Sequence, residues 1–265
     1  MTALRLSNAW RRRIRSALLR FPAAQELRHD LRRAQLKVLR RPHDPDFEVL
    51  KALTLAPGEQ ILDIGANRGQ SVDSMRLFQP KAEMHCFEAN PLLAEKLKRR
   101  RMAKTTVHAF GLSDADGEFT LHVPFYRGWM FDGLASVDET AARDWLGPRT
   151  IDGFDPAHLR MQAHACRLRP LDALNLAPAF IKIDVQGHEA AVVEGAADTL
   201  RRCEPILMIE HDGEAAAARL EAMGFVEHSY EGGALRRTTK RRSNSFHLTV
   251  QGADRLRAGG LEVAA

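Results

Sequence analysis

The sequence is poor in cysteine and has no long apolar run, no internal repeat and no low-complexity tract. Each shortage removes a class of protein. The three cysteines, Cys86, Cys166 and Cys203, stand singly, with no Cys-x-x-Cys pair. That pattern gives no thiol-redox or zinc motif and reads as small buried apolar side chains in a reducing cytoplasm. No stretch approaches the ~18 apolar residues of a membrane-spanning helix. Arginines interrupt the N-terminal segment, so no secretory signal is read there. The lack of repeats excludes solenoids and propellers.

What is present suits one α/β domain with appendages: 265 residues, 45% hydrophobic and 28% charged. The net charge of +5 is unevenly placed. Residues 1–41 hold twelve Arg/Lys against Glu26 and Asp30, a net +10, which leaves −5 on the remainder. The basic character belongs to an N-terminal arm, which weighs against a nucleic-acid-binding catalytic body. The arm reads as two helices. Trp10, Ile14, Leu18 and Phe21 recur at helical spacing, and Pro22 opens a second helix whose apolar stripe is Leu27, Leu31, Ala34 and Val38. Its arginines form either a solvated face or a surface for peripheral contact with an anionic membrane or polyanion. Arg41-Pro42-His43-Asp44-Pro45 ends the arm, so residues 1–44 are arm and linker and residues 45–265 a second domain.

From residue 58 short apolar runs alternate with helical segments, as βαβ units do. Strands are expected at Gln60–Ile64, Glu83–Phe87, Thr105–Phe110, Ala179–Asp184 and Pro205–Glu210, with a single helix over 188–201. Phe225–Tyr230 and Ser245–Val250 are expected to pair as a C-terminal antiparallel hairpin. Residues 124–165 are less regular and aromatic, and read as an insertion on the substrate side, or as the core of a small subdomain.

Asp63-Ile64-Gly65-Ala66-Asn67-Arg68-Gly69-Gln70 falls where the first strand should turn into a helix. Its glycines permit close backbone approach and positive φ. It is not the dinucleotide fingerprint: the spacing is Gly-x-x-x-Gly, and an acid stands two residues before the first glycine. A dinucleotide loop offers amides to a pyrophosphate anion, which Asp63 would repel. Asp63 suits a ligand with a cationic end, such as S-adenosylmethionine. Glu88, beside Ala89, ends the second strand, where a carboxylate can accept both ribose hydroxyls. Ser113 and Asp114 follow the third, where an adenine amino group needs an acceptor. A helix cap or turn residue is the competing reading of each acid.

At this point the sequence resembles the FkbM-type methyltransferases. The matching pieces are residues 63–70, Phe87-Glu88-Ala89-Asn90-Pro91, Gly111-Leu112-Ser113-Asp114, Leu171-Asp172-Ala173-Leu174, Ile181-Lys182-Ile183-Asp184-Val185-Gln186-Gly187-His188-Glu189 and Ile209-Glu210. The resemblance runs over roughly residues 58–250. Ala89 departs from the family's usual proline, and His188 from a position more often small or aromatic. The resemblance implies a Rossmann-like class I methyltransferase fold with a mostly parallel seven-stranded sheet. It implies S-adenosylmethionine as cofactor and methylation of hydroxyl oxygens on sugars or secondary metabolites.

The cofactor site is accordingly expected at Asp63, Gly65, Ala66, Asn67, Gly69, Gln70, Glu88, Ala89, Ser113, Asp114 and Asp184. An alcohol acceptor benefits from a base. The candidates are Asp184, His188, Glu210 and His211, the histidines competing with a structural role. Glu189 reads as a helix-start carboxylate and Lys182 as a structural partner for an acid. Asp184, Glu210, His211 and Asp212 offer oxygen and nitrogen ligands to a cation, but no spacing demands one, and no metal is assigned. The expected partner is a small-molecule or glycan acceptor rather than nucleic acid, with a homodimer left open. Two other readings compete: an RNA methyltransferase that uses the arm and the Arg236–Arg242 run, and a non-catalytic protein that keeps the fold.

Overall fold

The computed structural model describes residues 21–237 and 243–264. The expected first arm helix and residues 238–242 of the second basic run lie outside these. The chain divides into two compact units. One holds the described residues up to Gln35 together with Phe119–Ala165; the other holds Leu36–Glu118 and the chain from Cys166 onward.

The strands are β1 (Gln60–Ile64), β2 (Glu83–Phe87), β3 (Thr105–His108), β4 (Gly111–Leu112), β5 (Gly117–Tyr126), β6 (Trp129–Met130), β7 (Leu159–Arg169), β8 (Pro178–Ile183), β9 (Ile206–Glu210), β10 (Val226–Glu231), β11 (Ala234–Arg237), β12 (Asn244–Leu248) and β13 (Glu262–Val263). The larger unit is built on one sheet in the order β13-β11-β10-β12-β9-β8-β1-β2-β3. The central run β9-β8-β1-β2-β3 is parallel. Its strands read as continuous apolar runs because both faces are covered, and β8 is buried at every residue.

Alternate residues of each strand feed two separate cores. Ile61, Met84, Phe180, Met208 and Phe246 pack on one face. Leu62, Ile64, Phe87, Ile181, Ile183, Leu207 and Ile209 pack on the other. The register aligns the strand ends: Ile64 pairs with Phe87 and with Ile183, and Ile183 with Ile209. The chain runs outward from β1 to β3, then returns to β8 on the other side of β1. This reversal is the switch point where open α/β sheets bind ligands.

Three sequence expectations need correction. Among the described residues the sheet has nine strands rather than seven. The segments around 226–231 and 244–248 do pair antiparallel, but not as a hairpin. β12 lies between β9 and β10, and β10 instead turns at Gly232-Gly233 into β11. β11 and then β13 cover an edge that β10 would otherwise leave open. The helix expected over 188–201 is two helices, Glu189–Glu194 and Ala197–Cys203. The break falls at Gly195, where a Cβ would lie 1.8 Å from the Ser113 carbonyl oxygen. Asp172 then accepts the Asp198 and Thr199 N–H groups at 3.0 and 2.8 Å, satisfying the start of the second helix.

In the smaller unit β5 and β6 form a hairpin, and Asp138 caps the helix Glu139–Asp144. Tyr126, Trp129, Leu146 and Ile151 make its core, so of the two aromatic alternatives Trp129 is core while Trp145 is exposed. The helix Pro22–Val38 matches the expected second arm helix.

The contact at Gly195 sets a stability prediction. Gly195→Ala puts a methyl group into the Ser113 backbone and should cost about 1–3 kcal/mol. Urea unfolding should show a lower midpoint at unchanged slope; an unchanged midpoint would mean that the two segments are not in contact.

Candidate active site

The aligned strand ends place Gly65, Glu88, Asp184 and Glu210 in one row across β2, β1, β8 and β9. Gly65 has φ +81, and a Cβ there would stand 1.8 Å from the Asp184 carbonyl oxygen. Only glycine lets the end of β1 pass so close to the end of β8. The Gly65 and Ala66 N–H groups donate to Phe87 O, and Gly69 N–H to Ala66 O. Gln70 then begins the helix Gln70–Phe78.

Asp63 is fully buried, beside Lys182 in the register of β1 and β8. Ser71 Oγ donates to its Oδ2. Burial pushes its pKa above the ordinary carboxylate value, against the pull of Lys182 and Ser71. Among the described residues its Oδ1 and Asn67 Oδ1 are buried acceptors with no hydrogen-bond partner. Such atoms are costly unless something else donates to them. S-adenosylmethionine carries an ammonium group and two ribose hydroxyls, and so supplies donors of the kind this loop lacks. The residues present fit the cofactor.

Glu88 is also buried. It accepts Asn67 N–H at 2.6 Å and Asn90 N–H at 2.8 Å, which ties the end of β2 to the β1 loop. Ala89 leaves room behind it: a Cβ on Gly111 would already lie 3.3 Å from the Ala89 Cβ. Ser113 follows β4, which has left the main sheet to pair with β7. Its Oγ donates to Asp114 Oδ1 at 2.9 Å and lies 2.9 Å from His188 Nε2. The structure thus brings His188 to Ser113 and Asp114, at the end of β4.

Asp184, Lys182 and Glu210 form the charged centre. Lys182 Nζ donates to Asp184 Oδ2 at 2.9 Å, and Gln186 Nε2 donates to Oδ1 at 2.8 Å. Burial acts to raise the Asp184 pKa, but Lys182 and these hydrogen bonds outweigh it and hold the carboxyl below its ordinary range. Glu210 moves the other way, raised by burial and then by the charge of Asp184, with which it shares a hydrogen bond. His211 is 71% exposed, its Nδ1 3.6 Å from Glu210 Oε1. Asp212 turns inward to His247 Nε2 at 2.8 Å, both side chains 2% exposed. Among the described residues no cluster of His, Cys, Asp or Glu converges as a metal site. Glu189 accepts Gly187 N–H at 3.0 Å at its helix start.

Four participants were missed or underrated at the level of sequence. Ser71, Gln186 and His247 bond to Asp63, Asp184 and Asp212. Lys182, read as merely structural, is the shared cation. Its spacing of two from Asp184 was the available signal, since such residues share one face of a strand.

A parallel sheet whose ligand edge carries a carboxylate on each of four neighbouring strands is the architecture of a small-molecule-binding α/β enzyme. The FkbM methyltransferase domain matches residues 63–228, well over half of the chain. The chain belongs to the FkbM methyltransferase family. It is 30% identical over 209 residues to the AMB antimetabolite synthetase AmbE of Pseudomonas aeruginosa, covering 68% of this chain and 10% of that protein. The chain thus spans about a tenth of that relative. It is 25% identical over 177 residues to the 2-O-methyltransferase NoeI of Sinorhizobium fredii, covering 64% of this chain and 71% of that one. Among solved structures, an FkbM methyltransferase from Methylobacillus flagellatus aligns at 17% identity and TM-score 0.44, over 75% of this chain and 47% of that one. An O-methyltransferase from Thermotoga maritima aligns at 11% and 0.37, over 79% and 66%.

The strained state of Asp63 separates stability from binding. Its folded pKa is raised, so the burial cost is present where the group is charged and vanishes as pH falls through the carboxylate range. Asp63→Asn should melt higher than wild type near neutral pH, with the gap closing on acidification. It should bind S-adenosylmethionine about 10–100-fold more weakly, as a charge-assisted hydrogen bond is lost. Scanning calorimetry across pH and titration calorimetry read the two effects.

Proposed function

We propose that the protein is an S-adenosylmethionine-dependent O-methyltransferase that acts on a hydroxyl of a sugar, a glycan or a secondary metabolite. The observation that carries this is the Asp184–Glu210 pair: two carboxylates with opposed pKa shifts, beside a loop with unpaired buried acceptors. Bound at this edge, S-adenosylmethionine would supply an activated methyl group whose departure needs no acid. Asp63 and Asn67 would take its donors, Glu88 the ribose diol, and Ser113 with Asp114 the adenine end. What the chain itself must add is alignment and a place for the acceptor's proton. Lys182 keeps Asp184 anionic, and Asp184 in turn makes Glu210 the stronger base. With its own proton lost, Glu210 takes the proton of the acceptor hydroxyl as the C–O bond forms. The name of the relative NoeI, a 2-O-methyltransferase, supports a hydroxyl acceptor.

This division of roles predicts a pH profile. Activity should rise with pH through an ionisation above the ordinary glutamate value, because the base form of Glu210 appears only there. Glu210→Gln should remove that limb and lower kcat about 100-fold or more. Its affinity for S-adenosylmethionine, measured by titration calorimetry, should stay within about twofold, a difference well under 1.4 kcal/mol. The assay transfers labelled methyl to a panel of sugars, glycosides and hydroxylated metabolites. A Glu210→Gln enzyme with wild-type rate and profile would remove Glu210 from the chemistry. Absence of cofactor binding by the wild-type chain would remove the whole reading.

A further inference from the structure

The helix Pro22–Val38 presents the wrong face to its own protein. Surface helices of globular proteins turn their apolar stripe to the core. Here Leu27, Leu31 and Val38, spaced to form one stripe, are 58, 61 and 82% exposed. Phe21 and Leu39 at its two ends are exposed as well. The inward side carries Gln25, which is buried, the half-buried Leu36, and His29, whose ring stacks on Trp129 with centroids 5.5 Å apart. At roughly 100° per residue, Gln25 and His29 lie about 160° from Leu27, on the opposite side of the helix. Arg28 and Lys37 flank the exposed stripe, about 80–100° to either side of it. Between Phe21 and Arg41 the helix and its end carry Arg28, Arg32, Arg33, Lys37, Arg40 and Arg41 against Glu26 and Asp30.

We propose that this helix lies on the surface of an anionic lipid bilayer, its leucines in the headgroup–acyl boundary and its cations on lipid phosphates. The combination selects that occupant. A nucleic acid would meet the cations but bury no leucine. A second copy of the helix would bring the same six cations against these six. Residues 1–20 carry six arginines and no acid, so they strengthen attraction to an anionic surface. With 17 residues the helix is about 25 Å long and strongly charged, so it rests on a bilayer rather than crossing it. Among the described residues no helix is long and apolar enough to span. The inference is independent of the reading of the active site.

The test uses the full chain with phosphatidylcholine vesicles, with and without phosphatidylserine, and with polyuridylate as the competing polyanion. Wild type should sediment with phosphatidylserine vesicles, at least about tenfold more tightly than with neutral ones. Leu27→Asp/Leu31→Asp should weaken that binding by about tenfold or more. Arg28→Gln/Arg32→Gln/Lys37→Gln should weaken it about a hundredfold and abolish the lipid preference. All these side chains are exposed, so thermal midpoints should be unchanged; if the leucine variant melts lower, the charge variant carries the test. No vesicle binding, equal binding to neutral lipid, or undiminished binding by both variants overturns the proposal. So does tighter binding to polyuridylate that the leucine variant keeps, or a wild-type dimer that the leucine variant dissolves.

Discussion

Lys182 is the interaction on which the site depends. Its ammonium group is buried, bonded to Asp184 at 2.9 Å and facing Asp63 across the β1–β8 pair. A buried carboxylate is costly unless a cation or several donors meet it, and two neighbouring ones repel. One lysine serves both, unequally. Asp184 has it in direct contact and is held anionic; Asp63 has it only as a neighbour, and burial wins. Glu210, next along the row, is raised by burial first and then by the Asp184 charge, which outweighs the lysine. The shifts thus alternate from strand to strand, up on β1, down on β8 and up on β9. Removing Lys182 would leave uncompensated buried charge rather than merely one ion pair fewer.

That pattern exists only because the register holds at the C-terminal ends of four strands. Side chains alternate faces every residue, so a slip of one would send Lys182 to the other core and leave Asp63 without its cation. Gly65 guards the register at the critical place, since nothing larger fits against the Asp184 carbonyl. The loop after β9 is held by a separate device. Asp212 is bonded to His247 of β12, which fixes the chain just beyond Glu210, while His211 takes positive φ and turns out to solvent. Three consecutive polar residues, Glu210, His211 and Asp212, therefore have three different environments: a neighbouring carboxylate, water and a buried hydrogen bond.

Much of this was legible in the sequence, for a physical reason. Buried parallel strands are continuous apolar runs, so Gln60–Ile64, Glu83–Phe87 and Ile206–Glu210 stand out, and with them the acids at their ends. Elements paired over long separations were not legible. β7 alternates Leu159, Met161, Ala163 and Ala165 with polar residues, but Ala is a weak strand former and the run is mostly unburied. The break at Gly195 depends on Ser113, far away in sequence, and the partner of Asp212 lies 35 residues on. His188 shows the same limit: its contact with the Ser113 hydroxyl, 75 residues away in sequence, is visible only in the structure.

The arm carries this argument one step further. Helical periodicity reveals that Leu27, Leu31 and Val38 share a side, but not whether that side faces inward. The usual inference, that the apolar side is the packed one, rests on there being apolar surface to receive it. Here the receiving side offers the Trp129 ring to His29, and Gln25 is buried instead. A polar contact of this kind orients a helix at little cost, because an aromatic face accepts an imidazole ring as readily as a leucine. The orientation leaves the leucines beside the arginines, on the side where each group alone would be ordinary surface. On the proposal above they act together, the leucines meeting hydrocarbon and the arginines lipid phosphate at the same boundary.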